Sequence, residues 1–241
     1  MKDKDLNKAA RYIIFRDKEV MINTILFFLL ALFYLFALYK FFFRARGDDF
    51  IILMAYALIL GFGIIGSNTI LVNLSLRDKL SGRLEFLLGT GLDVREIIKA
   101  YSIENWRLSS LAPFITFFGT YVICDLDKSF IALYLTCITL HYFLILTLNI
   151  RAMYRKNFKF FKNIVFFSTS LMIYLLGNFS GRILKFLGLI NVDLSLFLIL
   201  ANVIIGLALG LYSFYQVRKL ENENVMEVKA EWSCLPLLSW Q

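Results

Sequence analysis

The chain has 241 residues, 59% of them hydrophobic and only 18% charged. A soluble domain carries about a quarter charged residues, so this composition, with a mean hydropathy of +0.70, excludes a water-facing surface over most of the length and leaves room for one membrane domain. The net charge of +8 points to topology and not to nucleic acid, because the basic residues gather in loops between apolar segments.

In chain order, residues 1–19 open with an amphipathic stretch in which Leu6, Ala9, Ala10, Ile13 and Ile14 share one helical face; that pattern predicts a helix lying in the membrane interface. The first long apolar stretch starts near Val20 with no small-residue cleavage site after it, so no cleavable signal is expected. Residues 20–217 form the predicted transmembrane domain and 218–241 a polar tail ending in an apolar segment. Six charge-free windows occur: Val20–Tyr39, Phe50–Leu76, Leu108–Cys124, Ser129–Ile150, Asn163–Gly181 and Leu194–Val217. The shortest has 17 residues and the longest 27, against about 20 needed for a helix to cross the hydrocarbon core. They neither alternate in polarity nor stop at about ten residues, as barrel strands would. The fold class is therefore an all-α membrane protein with six transmembrane helices.

Orientation follows from the loops. Twenty Lys and Arg fall in the N-terminal segment, the 2–3 and 4–5 loops and the tail, against six on the other side (Lys40, Arg44, Arg46, Lys128, Arg182, Lys185). The positive-inside rule places both termini in the cytoplasm, consistent with a multi-pass protein of a plasma membrane.

Two loops carry structure of their own. Between spans two and three, Gly82 and Gly89 bracket RLEFLL, whose Leu84, Leu87 and Leu88 line one face; Gly89-Thr90-Gly91 then breaks the helix. Asp93 followed by Glu96 resembles a capping box, so a second helix starts at Val94 and runs into span three, which explains why that window is short. Between spans five and six, GRILKFLGLI is apolar but too short to cross, predicting a re-entrant outer helix before span six. Pro113 predicts a kink in span three.

Catalytic patterns are scarce. There is no G-x-x-x-x-G-K-[ST] loop, no HExxH and no CxxC, and the single His rules out a multi-histidine metal site. The three cysteines, Cys124, Cys137 and Cys234, give no disulfide framework, since Cys137 falls within a span. No acidic residue lies in any charge-free window to serve a triad with His141. His141 itself sits near the middle of span four, where an ionisable group is either a functional residue or a neutral imidazole bonded to a neighbouring helix. Gly63, Ser67, Asn68 and Asn73 on span two either pack helices closely or line a substrate path. Gly206 and Gly210 form a small-xxx-small packing motif on span six.

SGRLEFLLGTGLDVREIIKA, residues 81–100, resembles the corresponding segment of type-2 ATP-binding-cassette (ABC) exporter permeases at Gly82, Leu84, Glu85, Leu87, Leu88, Thr90, Arg95, Glu96 and Ile97. Gly91 stands where that family carries proline. The six-span arrangement with an amphipathic N-terminal helix is similar too. The resemblance implies that Gly82, Leu84, Glu85, Phe86, Leu87 and Leu88 form a cytoplasmic coupling helix docking on a separate ATPase subunit. It further implies that ATP and Mg2+ sit on that partner and none on this chain, and that the chain is not itself an enzyme. A second copy or a paralogous permease would complete a translocation path lined by spans two and five. Ser67, Asn68, Gly63 and His141 are the candidate path residues. The apolar, aromatic spans favour an amphipathic or hydrophobic cargo: an antimicrobial peptide, a lipid-like molecule or a drug. Two other functions remain open: an ATPase-independent secondary transporter using His141, and a non-transporting immunity or scaffold protein.

Overall fold

The computed structural model describes residues 3–42, 47–71, 75, 77–154, 158–189 and 192–222. Asn73, most of the turn between the first two spans and the apolar tail segment 232–240 lie outside the described residues. Among the described residues every regular element is helical: α1 (Asp3–Arg16), α2 (Lys18–Ala37, continued by a π-helical turn over Leu38–Phe42), α3 (Asp48–Leu71), α4 (Arg77–Leu80), α5 (Arg83–Gly89), α6 (Val94–Ser109), α7 (Leu111–Cys124), α8 (Lys128–Tyr154), α9 (Phe158–Leu189) and α10 (Leu194–Lys219). Within that set, five stretches are long and apolar enough to cross a membrane: Lys18–Lys40, Asp48–Leu71, Val94–Cys124, Lys128–Met153 and Leu194–Lys219.

α3 is the axis of the bundle, packed against α2, α6, α7, α8 and α9. Its small residues make this possible: at Gly63 a methyl group would meet the His141 ring 3.1–3.2 Å away, so only glycine admits α8 this closely. α2 and α10 lie outside, and Ile22, Leu26, Phe33, Ile204, Leu207 and Leu211 face outward from them. Two apolar clusters divide the molecule. One gathers Tyr56, Phe117, Phe130, Leu133 and Leu194 from α3, α7, α8 and α10, with Phe117 stacked on Tyr134 at a centroid distance of 4.0 Å. The other gathers Leu6, Ala10 and Ile14 of α1 with Leu84, Leu88, Val94, Ile97, Ile98, Tyr101 and Leu220.

The third span begins at Val94, as its short window predicted. α6 and α7 meet at Ser110, four residues after Trp106 and three before Pro113, whose missing N–H cannot bond the Ser109 carbonyl. The 31 residues of Val94–Cys124 span about 46 Å at 1.5 Å per residue, more than the roughly 30 Å of hydrocarbon, so one end must project from the membrane.

One expectation is corrected. GRILKFLGLI is not a separate re-entrant helix; its residues 181–189 are the end of α9, a single helix of 32 residues that also contains the Asn163–Gly181 window. Gly181 and Gly188 lack the positive φ that ends a helix. The roughly 1 kcal/mol each costs relative to alanine is offset by packing of Ile183, Leu184 and Leu187 on the first cluster. The amphipathic α1 does form, but Leu6, Ala10 and Ile14 are buried in protein against α6, whereas Ala9 is exposed. These three residues cover the chain itself, while Tyr12 and Phe15 of the same helix are exposed.

Candidate functional site

The short helix α5 is set between two left-handed glycines, Gly82 (φ 75°) before it and Gly91 (φ 84°) after it. Residues with a Cβ pay a steric penalty in this conformation, so these positions fix where α5 starts and where the chain turns. Thr90 closes the C-terminal end with its hydroxyl on the Leu87 carbonyl, 2.7 Å. Asp93 then caps α6 through its carboxylate on the Arg95 N–H, 2.8 Å. The cap runs through Arg95, one residue before the Glu96 side chain expected to take part, and Glu96 is exposed.

Of the α5 residues in the segment expected to dock on a partner, the leucines turn inward. Leu84 and Leu88 are only 2% and 6% exposed, and Leu87 is half-buried. All three pack into the cluster that includes α1. Periodicity marks an apolar face but not what covers it, and here the cover is a buried cluster of this chain to which α1, α6 and Leu220 also contribute. Phe86, 71% exposed, and Glu85 lie on the outward face of α5.

Behind α5 lies a network that sequence reasoning missed. The Arg95 guanidinium donates to the Leu220 carbonyl at 3.0 and 2.8 Å and to the Arg218 carbonyl at 3.2 Å, placing positive charge on the C-terminal end of α10 where the helix dipole favours it. Asn222 accepts from the Val94 N–H at 3.0 Å and donates to the Leu92 carbonyl at 3.3 Å. The turn between α5 and α6 is thus tied to the end of the last span. On the other side, buried Glu104 of α6 binds Arg11 of α1 through two hydrogen bonds of 2.9 and 3.1 Å and Arg107 at 2.7 Å. The hydrogen bond to Glu104, then its charge, push the Arg11 pKa further above its ordinary value. Buried Asp78 of α4 accepts from the Tyr101 hydroxyl and lies 3.7 Å from Arg83, the first residue of α5.

Three of the four candidate path residues, Gly63, Ser67 and His141, come together between α3, α6 and α8, but as a packed contact. The Ser67 carbonyl accepts from Asn105 Nδ2 at 3.0 Å, and Ser109 Oγ, bonded to the Asn105 carbonyl at 2.8 Å, lies 3.5 Å from His141 Nε2. Gly63 takes the other side of the imidazole. Asn68 is buried. The cavity beside Ser109, also lined by Gly66 and Thr69, is about 10 Å3, room for about one water. Further out, Asn202 of α10 accepts from the Tyr56 hydroxyl at 2.9 Å and donates to Thr136 and Cys137, and Asn149 of α8 joins Ser75 to Ser102. These isolated amides in apolar helices are interhelical clamps, typically worth about 0.6 kcal/mol each.

The fit at Gly63 gives a first prediction. Gly63→Val is expected to destabilise the protein by about 1–3 kcal/mol through overpacking, and the added His141→Ala change to recover part of that loss. Thermal unfolding in detergent of both singles and the double measures it; purely additive losses would contradict the contact.

Comparison of the chain with family models, with characterised proteins and with solved structures gave no match. The helices alone define its class, an α-helical membrane protein that crosses the bilayer several times.

Proposed function

We propose that this chain is the membrane-spanning subunit of an ATP-driven ABC exporter, moving an amphipathic or hydrophobic cargo outward when paired with a separate ATPase and with a second permease chain. In this reading α9 supplies the sixth crossing, both termini face the cytoplasm of a bacterial cell, and ATP and Mg2+ are held by the partner. The observation that carries it is the build of α5: a seven-residue helix with its leucines turned inward, Phe86 turned outward, and its following turn clamped to α10 by Arg95 and Asn222. The segment is also the one that resembles the permease family.

α5 acts as a lever. When ATP draws two ATPase subunits together, force on Phe86 and Glu85 passes along the Gly91–Asp93 turn into α6, and through Arg95 into the end of α10. Two spans then move as one. An ion-driven carrier built on His141 is disfavoured, because that imidazole is enclosed by Gly63 and Ser109 with room nearby for a single water.

The test is affinity purification of the chain from its native membrane in mild detergent. Wild type is expected to carry a P-loop ATPase and its ATP hydrolysis, and Phe86→Asp to lose at least tenfold of that activity, about 1.4 kcal/mol or more of association energy, with an unchanged melting temperature. Cargo movement by the chain alone in proteoliposomes, with no ATPase recovered, would overturn the proposal.

A further inference from the structure

The seam between α8 and α10 opens outward into an apolar groove of about 490 Å3, walled by Tyr142, Phe143, Leu146, Leu211 and Phe214 with Lys99 of α6 at one end. A second recess of about 250 Å3 shares Phe143, Gly206 and Leu207 with it and ends at Thr136 and Asn202. The floor is glycine. At Gly210 an added methyl group would press on Phe143 at 3.2 Å, so that glycine packs the two helices; at Gly206, though buried, it would meet nothing within 4 Å. Gly206 therefore does not serve helix contact; its missing side chain is the recess.

We propose that this groove holds one acyl chain of an anionic phospholipid whose headgroup sits at Lys99. Length supports this occupant: Gly206 to Val217 rises about 16 Å, close to the hydrocarbon depth of one leaflet, about half of 30 Å. Charge supports it as well. Lys99 is exposed, and among the described residues no carboxylate lies within ion-pair distance of its ammonium. The last turn of α10 adds Arg218, lying 4.2 Å over the ring of the groove-wall residue Phe214, and Lys219. A basic end and an apolar trough match a lipid lying along the helix, with its chain against Phe143 and its phosphate between Lys99 and Arg218. The site does not depend on an ATPase partner, and only the choice of leaflet, the inner one, rests on the orientation proposed above. A lipid there would brace α6 against α10 one helical turn along α6 from the Arg95 clamp.

Native mass spectrometry of the delipidated protein, titrated with phosphatidylglycerol and with phosphatidylcholine of identical chains, tests it. Wild type is expected to retain one phosphatidylglycerol in preference to phosphatidylcholine. Lys99→Gln is expected to lower that preference about fivefold, the surface charge contribution of one lysine. Gly206→Trp, whose Cβ would meet nothing within 4 Å, directs an indole into the recess and is expected to reduce retention of both lipids at least tenfold. Leu211→Trp, at an exposed wall, gives the same readout without touching the floor, and unchanged melting temperatures show that the fold is kept. Equal retention of the two lipids by wild type, or undiminished retention in both tryptophan variants, would overturn the assignment. So would a Gly206→Trp variant that splits an oligomer while lipid retention stays the same, which would give the groove to a second copy.

Discussion

Leu84→Ala is expected to lower the unfolding free energy by about 2–5 kcal/mol, the range for truncating a buried leucine, while Phe86→Ala, two residues away, stays within about 0.5 kcal/mol of wild type, as exposed positions do. The difference follows from direction alone. Leu84 is 2% exposed in the cluster that joins α1, α5, α6 and Leu220, whereas Phe86 is 71% exposed. Loss of the Leu84 side chain leaves a cavity in the cluster to which α1 also contributes, and α1 is expected to loosen with it. Thermal unfolding in detergent and hydrogen exchange of residues 3–16 measure both effects. Equal melting temperatures for the two variants would mean that α5 is not seated as described. For partner binding the order reverses: an exposed aromatic anchor typically costs 2 kcal/mol or more when truncated at an interface, so Phe86→Ala is expected to weaken ATPase association by about thirtyfold.

Arg95→Ala has the second large effect, and it is on function more than on stability. Its guanidinium makes three hydrogen bonds to the carbonyls that end α10. Bonds to a charged group contribute about 1.5–3 kcal/mol, and the lower end applies because the Arg95 side chain is 39% exposed and screened by solvent. Stability should therefore fall by about 1.5 kcal/mol or less. Docking of an ATPase on Phe86 should persist, since α5 keeps its seat. Transport should fall at least tenfold, because α10 no longer follows α6. Arg95→Lys is not expected to rescue it: an ammonium cannot reproduce the planar fork that reaches both carbonyls. The pair of readouts is co-purification of the ATPase and cargo transport in the reconstituted complex; equal loss of both would make Arg95 a folding residue and not a link.

Much of the fold is legible in the residues themselves. Charge-free windows locate the long helices, because burying a charge in hydrocarbon is too costly to be hidden by context. The start of α6 is equally readable, since Asp93 is a side-chain cap and Gly91 a left-handed turn. What periodicity cannot supply is the identity of the surface that covers an apolar face. Leu84 and Leu88 read the same whether they meet a partner or α1, and only the three-dimensional contact decides. The same limit made GRILKFLGLI look like a separate helix, when its glycines are absorbed into α9 by packing against other helices. The clamps were hidden for a different reason: Asn202, Asn149 and Arg95 act on groups 65–146, 47–74 and 123–125 residues away in sequence. Gly206 looked like half of a packing motif, and its role as an open floor depends on where Phe143 lies.

In the proposed exporter α5 meets a partner ATPase through Phe86 while its leucines stay inside. A photo-cross-linking amino acid placed at position 86, and in a separate variant at position 84, tests it in native membranes. Position 86 is expected to form an adduct with a P-loop ATPase, and position 84 to form adducts only within this chain. An ATPase adduct from position 84, or an ATPase that co-purifies with the chain yet never cross-links to position 86, would contradict it.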